Sequence, residues 1–266
     1  MRPTPHVHDA PHAACDVVGD VHGCIEELRA LLGRAGWRPE GEGVAHPEGR
    51  LLILVGDLTD GGPDSAAVLR LALATMRAGR ALWTMGNHDW KLARALLGNP
   101  VRVGRGLDRT LEEIAAAPPA FGEAVRDAIL ALPHQIRVPM PEGHPRRGDG
   151  WLTVVHGAAP EGVLDADDRH AFERSIYGLP AEEDPRDTPL PGPARTDWAA
   201  GHDGPRWIVH GHEVHPEVRV LNRVIAIDQG CVFGGRPTMY RTDRADLLDV
   251  PALRDHSGRG RLSRAG

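Results

Sequence analysis

The chain has 266 residues, 41% of them hydrophobic, and a formal net charge of −6 at pH 7. This length fits one large domain, or one domain with an inserted subdomain, and the apolar share supports a globular core. The negative charge and the pI near 6.2 argue against a protein that binds nucleic acids mainly by electrostatic attraction.

The cysteines and the N-terminal region indicate the cellular compartment. Cys15, Cys24 and Cys231 form an odd, sparse set, which is typical of reduced thiols and predicts a cytoplasmic protein. No N-terminal apolar run has the length of a signal peptide or a membrane span, so we expect no membrane partner. Residues 1–13 are rich in proline and histidine, and we expect a flexible tail there.

The first part of the chain alternates between strand-like and helix-like patterns. Apolar runs predict strands over residues 15–18, 51–55 and 81–85. Apolar residues at helical spacing predict a helix after each strand, beginning near residues 25, 64 and 90. The βαβαβα order implies parallel strands joined by right-handed crossovers.

The later part is less regular. We expect two helices within residues 108–132, separated at Pro118-Pro119, and a further helix over 165–177 that leads into an irregular loop over 178–194. The predicted strands cover residues 136–138, 151–155, 207–209, 218–220, 224–227 and 238–240. The close spacing of the last four favours a meander in a second sheet. Residues 250–266 are polar, and we expect a second flexible tail there.

Five polar segments, each with a glycine, follow these apolar runs. They read Gly19-Asp20-Val21-His22-Gly23, Gly56-Asp57-Leu58-Thr59-Asp60-Gly61, Gly86-Asn87-His88-Asp89, His156-Gly157 and His210-Gly211-His212. The first three stand at the ends of predicted strands, where an α/β sheet places its ligands. Each residue alone has an ordinary structural explanation, such as a loop cap or a buried core histidine. Together they predict a hydrolase with two divalent metal ions.

The donor set limits the metal. Carboxylate and amide oxygens combined with imidazole nitrogens suit Mn²⁺, Fe, Zn²⁺ or Ni²⁺ better than Ca²⁺. We expect two divalent ions, with manganese first among these metals.

The segments resemble the GDxHG, GDxxDRG and GNH(D/E) motifs of the calcineurin-like metallophosphoesterases, specifically the phosphoprotein-phosphatase branch. The resemblance is strongest to bacterial diadenosine-tetraphosphatase-like proteins and to the phosphatase module of bacterial polynucleotide kinase-phosphatase. It covers roughly residues 14 to 242, including later features at 194–198 and 227–235. It implies a two-sheet α/β/β/α sandwich over residues 14–249, in which residues 157–205 form the substrate-side helix and loop.

The resemblance also implies roles for individual residues. The metal ligands would be Asp20, His22, Asp57, Asn87, His156 and His212. Asp57 would bridge the two ions, with Asp20 and His22 on the first. Hydrolysis would proceed by attack of a metal-bound hydroxide. His88 would act as general acid on the leaving group, oriented by Asp60, and Arg195 would bind the substrate phosphate.

One position departs from the family motif. Gly61 stands where the family has an arginine that clamps two phosphate oxygens. We expect this loss to weaken phosphate binding, and Gly61→Arg to raise kcat/KM on simple phosphomonoesters, unless Gly61 has a positive φ. Arg105, Arg109 or Arg174 could supply a replacement cation.

The predicted function is hydrolysis of phosphomonoesters or dinucleoside polyphosphates by a serine/threonine-phosphatase-like enzyme. The partner would be a small phosphorylated substrate or a phosphoprotein. One alternative is a catalytically impaired relative that binds a phosphorylated ligand. Another, less favoured, is a phosphatase that processes nucleic-acid ends, and it would act alone because the chain has no kinase P-loop.

Overall fold

The computed structural model describes residues 3–179 and 197–258. The strands are β1 (Val7–Asp9), β2 (Cys15–Val18), β3 (Arg38–Glu40), β4 (Gly43–Ala45), β5 (Leu51–Leu54), β6 (Ala81–Trp83), β7 (Gln135–Pro139), β8 (Trp151–Val155), β9 (Trp207–His210), β10 (Arg219–Leu221), β11 (Val224–Ala226), β12 (Thr238–Arg241) and β13 (Asp246–Asp249). The α-helices are α1 (Ile25–Ala35), α2 (Ser65–Arg77), α3 (Asn87–Leu96), α4 (Leu107–Ala115), α5 (Pro119–Leu130) and α6 (Arg169–Tyr177).

The first sheet has the strand order β13-β12-β2-β5-β6. β2, β5 and β6 run parallel, with Val17 opposite Ile53 and Ile53 opposite Leu82. The predicted parallel start of the fold is therefore confirmed. β12 returns from the end of the chain and pairs with β2 in the antiparallel sense.

The second sheet has the order β1-β7-β8-β9-β11-β10. The predicted meander is wrong, because β9 lies parallel to both β8 and β11, and β12 belongs to the other sheet. Among the strands predicted for the meander, β10 and β11 alone form a hairpin with each other. Its turn, Asn222-Arg223, has φ of 47° and 65°, as a two-residue turn of the type I′ class requires.

Three apolar layers hold the sheets and helices together. Val17 and Ile53 of the first sheet pack against Val154 and Ile225 of the second, which forms the core between the sheets. Helices α1 to α5 cover the outer face of the first sheet, and Phe172 and Ile176 of α6 join the same apolar layer. Ala171 of α6 packs against Val155 and Ile208 of the second sheet. The arrangement is the predicted α/β/β/α sandwich.

Local signals set the ends of the first helices. α1 ends at Ala35 and is capped by Gly36, whose φ of 99° is left-handed. The Asp64 carboxylate accepts the Ala67 N–H and caps the start of α2. α3 begins at Asn87, earlier than the helical spacing predicts, so Asn87 and His88 lie in its first turn.

Both predicted tails contain ordered segments. β1 pairs in parallel with β7, with His8 opposite Ile136, because that outer strand of the second sheet offers an edge to pair with. Near the other end, Ala252 donates its N–H to Gly235 O and His256 donates its N–H to Val232 O, so this segment packs on the domain. Within the described residues, no helix has the length and apolar character needed to cross a membrane.

Candidate metal centre

The five polar segments meet at one edge of the sandwich. Asp20 follows β2, Asp57 follows β5 and Asn87 follows β6, and these three strands run in the same direction. His156 follows β8 and His212 follows β9, a second parallel pair. The carboxyl ends of both sets therefore deliver their side chains to a common point.

Asp57 lies at the centre of this point. Its Oδ2 atom is 3.3 Å from His156 Nε2 and 3.8 Å from His22 Nε2, and its Oδ1 atom accepts the backbone N–H of His88 at 2.8 Å. Asp57 belongs to two clusters of potential metal ligands, and within each cluster the ligand atoms lie within 4.8 Å of one another. The first cluster is His22, Asp57 and His88, and the second is Asp57, His156 and His212. The Asp57 carboxylate thus belongs to both groups that could hold a metal ion.

Asp20 closes the first side of the centre. Its two carboxylate oxygens each accept the backbone N–H of His212 at 3.1 Å, and Oδ2 lies 4.0 Å from His22 Nε2. The approach requires glycine at Gly211, where a Cβ would lie 1.9 Å from Asp20 Oδ1. Gly86 has the same role for Asp57, since its Cβ would lie 2.2 Å from Oδ1.

Two histidines are held with Nε2 toward the centre. His22 Nδ1 lies 2.8 Å from Thr59 O, and His156 Nδ1 lies 3.1 Å from Val55 O. A carbonyl oxygen only accepts, so each Nδ1 carries the proton and donates it. This is the tautomer that offers the Nε2 lone pair to a metal.

On the second side of the centre, several hydrogen-bond acceptor atoms lie close together. Asn87 Oδ1 lies 3.0 Å from His156 Nε2, and the rings of His156 and His212 are 4.9 Å apart. Burial lowers the pKa of His156, but the charge of Asp57 outweighs it, so the net shift is upward. A neutral His156 Nε2, Asn87 Oδ1 and Asp57 Oδ2 are all acceptors, so they repel unless a proton or a metal ion lies among them. The donor set therefore fits a divalent ion.

The buried carboxylates of Asp20 and Asp57 also favour a bound cation. Burial raises the pKa of Asp20 well above its ordinary value, with further contributions from Asp228 and Asp57. Burial also opposes ionisation of Asp57, but the neighbouring His156 and His88 outweigh it and hold the pKa of that carboxyl well below its usual range. Such crowded carboxylates are stable as anions only beside cations.

His88 and Asp60 form a pair beside the centre. His88 Nδ1 lies 2.7 Å from Asp60 Oδ2, and Asp60 Oδ1 accepts the hydroxyl of Thr110 at 2.8 Å. Burial lowers the pKa of His88, but the charge of Asp57 and the hydrogen bond to Asp60 outweigh it, so the net shift is upward. The ring can therefore carry a proton near neutral pH.

Asp89 is a residue to which the sequence interpretation gave no role. Its buried carboxylate accepts the backbone N–H groups of Asp57, Leu58 and Gly86 and the indole N–H of Trp83, at 2.8–3.2 Å. It thereby fixes the loop that presents Asp57. Its place three residues after Gly86, at the start of a helix, is a capping position that could have revealed it.

Two more buried groups adjoin the ligands. Burial raises the pKa of Asp228 to about 6, and its Oδ1 accepts the Gly230 N–H at 2.9 Å. Burial lowers the pKa of His210 to about 3, and its ring packs edge-on against Trp198. His210 therefore supports the fold beside His212 as a neutral side chain.

Gly61 has a φ of 97°, which is the condition under which arginine would be strained. A Cβ there would also lie 3.0 Å from Val232 Cγ2. The expectation that Gly61→Arg raises kcat/KM is therefore withdrawn, since the loop is built for glycine.

The candidate phosphate-binding cations differ in their surroundings. Arg109 donates to Pro63 O and to Glu113, 3.1 Å away, so it is engaged at the start of α2. Arg174 lines a pocket at the end of α6. Arg195 lies outside the described residues.

Comparisons with known proteins agree on the family. The family model of calcineurin-like phosphoesterases matches residues 15–216. Bis(5'-nucleosyl)-tetraphosphatase PrpE [asymmetrical] of Geobacillus sp. (strain WCH70) is 34% identical over 238 residues, which cover 89% of this chain and 94% of that protein. The protein of the same name from Bacillus subtilis (strain 168) is 34% identical over 241 residues, 90% of this chain and 95% of that protein.

Solved structures share the fold. A crystal structure assigned as a candidate diadenosine tetraphosphatase superposes with a TM-score of 0.66 at 24% identity, covering 94% of this chain and 99% of that one. A serine/threonine phosphatase from Saccharomyces cerevisiae gives a TM-score of 0.57 at 15% identity, covering 94% of this chain and 84% of that one. From the family match and the relatives, the chain belongs to the calcineurin-like phosphoesterases, and it is a phosphoester hydrolase.

Proposed function

We propose that this calcineurin-like phosphoesterase is a dinucleoside tetraphosphatase that uses two divalent metal ions and cleaves its substrate asymmetrically. The proposed ligands are Asp20, His22, Asp57, Asn87, His156 and His212. The observation that carries the proposal is Asp57, whose carboxylate belongs to both potential ligand clusters. The preferred ion is Mn²⁺, and Fe, Zn²⁺ or Ni²⁺ would suit the same donors.

The bound ions would supply a hydroxide near neutral pH and stabilise the charge that develops on the phosphoryl group. The protein's own part is to hold the ligands rigidly and to handle the leaving group. His88 donates through Nδ1 to Asp60, so a protonated ring has its second proton on Nε2. We assign to that proton the protonation of the departing oxygen, with Asp60 as the group that positions and charges the ring.

An exposed aromatic ring supports a nucleotide substrate. Tyr177 is 47% exposed and lines a pocket of about 310 Å³ together with His170, Glu173, Arg174 and Gly178. Burial raises the pKa of the Tyr177 hydroxyl, and the charges of Glu173 and Asp57 add to this against the opposing charge of Arg94.

The pocket is fastened to the site. Gly157 donates its N–H to Ser175 O at 2.6 Å and Ala158 donates to Arg174 O at 3.2 Å, so the end of α6 is tied to the residues after His156. A base stacked on Tyr177 would place its phosphates toward the metal centre, with Arg174 as the cation that compensates for Gly61. Stacking of a base on an aromatic ring contributes about 1–3 kcal/mol.

A substrate panel with Mn²⁺ tests the proposal. It contains diadenosine tetraphosphate, an aryl phosphate, an aryl phosphodiester, a 2′,3′-cyclic nucleotide and a phosphopeptide. We expect diadenosine tetraphosphate to have the highest kcat/KM and to yield AMP and ATP, and Asp57→Asn to abolish turnover and lose metal. Two molecules of ADP would contradict asymmetric cleavage. A preference for the phosphopeptide would indicate a protein phosphatase, and binding without turnover would indicate the impaired relative.

Tyr177 provides an internal control. Tyr177→Ala should raise KM for diadenosine tetraphosphate by about 5- to 150-fold, the equivalent of the stacking energy. KM for the aryl phosphate should stay unchanged, because that substrate does not reach the pocket. Tyr177→Phe should behave as wild type. An equal effect of Tyr177→Ala on both substrates would show that the variant disturbs the metal centre instead.

A further inference from the structure

A second group of metal-binding side chains lies beside the turn that follows His22. Cys24 immediately precedes α1 and Glu27 lies in its first turn, Cys231 follows β11, and His256 belongs to the C-terminal segment. Cys24 and Cys231 are 0% and 1% exposed, and the side chains of Glu27 and His256 are 1% and 6% exposed. None of the four belongs to the proposed hydrolytic centre.

These side chains converge in the interior. Potential ligand atoms of Cys24, Glu27 and His256 lie within 4.8 Å of one another. The Cys231 thiol lies next to that of Cys24, which together with burial raises the pKa of Cys231. His256 Nε2 is 2.7 Å from Glu27 Oε1, which also accepts the Leu253 N–H at 3.2 Å. One sulfur atom, one imidazole nitrogen and one carboxylate thus surround a single point, with the Cys231 thiol beside that of Cys24.

One oxygen in the group is unsatisfied. Glu27 Oε2 is buried, and among the described residues it has no hydrogen-bond partner. Leaving part of an ionised carboxylate buried without a partner is costly, whereas a bound cation would satisfy it directly. Glu27 Oε2 therefore supplies an indication of a cation that is independent of the cysteines.

We propose that Cys24, Glu27, Cys231 and His256 form a second metal site, for one thiophilic divalent ion, of which Zn²⁺ is the best match. Thiolate, imidazole and carboxylate are the donors that zinc takes, and four protein ligands are typical of a structural site. The hydrolytic centre contains no sulfur, so the two sites differ in chemistry and in the metals they prefer.

Binding requires a defined rearrangement of protons. Both thiols release a proton to solvent and bind as thiolates. His256 moves its proton from Nε2 to Nδ1, and the contact from Arg254 Nε to Nδ1, 3.4 Å long, is given up. His256 and Glu27 then face the ion instead of each other.

The site would fasten the C-terminal segment to the body of the domain. Its four ligands join α1, the loop after β11 and the segment at residue 256, which backbone bonds such as His256 N–H to Val232 O already hold. Cys24 is two positions from His22. Zinc would thus stabilise the fold next to the hydrolytic centre without touching the substrate.

Cobalt substitution of the full chain tests the site. Wild type loaded with Co²⁺ should show thiolate-to-cobalt charge-transfer absorption and strong tetrahedral d–d bands, and Asp57→Asn should retain both. Cys231→Ser should lose the charge-transfer band and hold one zinc ion fewer per chain by elemental analysis. Cys15→Ser is the matched control, since Cys15 is equally buried but lies outside the group, and it should keep the wild-type spectrum and zinc content.

The wild-type spectrum is decisive even if Cys231→Ser fails to fold. Folded, reduced wild-type protein without a charge-transfer band would overturn the proposal. A mass two hydrogens lower in the non-reduced protein, located to Cys24 and Cys231, would also overturn it, because the pair would then be a disulfide. A band that persists in Cys231→Ser but disappears in Cys15→Ser would place the metal elsewhere.

Discussion

His88→Asn offers the sharpest separation of catalytic from metal-binding roles. The backbone N–H of residue 88, 2.8 Å from Asp57 Oδ1, survives the substitution, so Asp57 keeps its orientation. What is lost is the imidazole, whose Nδ1 lies 2.7 Å from Asp60 Oδ2. We therefore expect the metal content to remain and the turnover to fall.

The size of the loss follows from the role. General acid catalysis contributes roughly 10²–10⁴-fold, equivalent to about 3–5 kcal/mol of barrier. Asp60→Asn keeps the ring but removes the charged partner, whose hydrogen bond contributes about 1.5–3 kcal/mol, so a smaller loss of roughly 10- to 100-fold is expected. Both losses should be smaller on an aryl phosphate, whose acidic leaving group needs less protonation.

The assay is kcat on diadenosine tetraphosphate and on an aryl phosphate, with metal content measured on the same preparations. His8→Asn, an exposed histidine of β1, is the control and should match wild type. Loss of metal in His88→Asn would refute the reasoning. His88 would then be a ligand of the cluster that it shares with His22 and Asp57.

Four further substitutions, with Arg29→Met as a control, test the surrounding structure. Asp89→Asn should lower the free energy of unfolding by about 1–3 kcal/mol for each N–H left without an acceptor, measured by urea denaturation, and should lower kcat because the metal-site loop loses its anchor. Gly61→Arg should cost about 1–2 kcal/mol in the same assay, since its φ is 97°, and should bring no gain in kcat/KM. Arg50→Met removes the partner of a buried carboxylate and should cost about 3–5 kcal/mol, whereas Arg29→Met, an exposed ion pair, should change the stability by less than about 0.5 kcal/mol. Asp243→Asn tests a pH dependence: burial opposes its charge but Arg50 lowers its pKa, so the carboxylate stabilises the fold above pH 3.8, and the deficit of the variant at neutral pH should shrink as the pH falls below that value.

The sequence by itself determined the donor types and the parallel strands that carry them. Alternation of apolar runs with helical patterns allows little but parallel pairing of β2, β5 and β6, and a polar residue after each strand then lies at one edge. The sequence also showed glycine at position 61, where the family has arginine. Whether an arginine could be tolerated there depended on the φ of Gly61, which the structure gives as positive.

Pairing in the second sheet was decided only by the tertiary structure. β9 and β12 are similar short apolar runs, yet they join different sheets, because the choice depends on which faces become buried together. Register and partner of such strands are set by contacts between residues far apart in the chain, and local spacing does not contain that information.

The same reason explains the groups that the motifs did not reveal. Asp89 takes its importance from the backbone N–H groups of Asp57 and Leu58, which come within reach only when β5 and β6 align. Glu27 and His256 are separated by 229 positions and meet because the end of the chain folds back onto α1. Sequence supplies chemically competent residues, and packing decides which of them share a space.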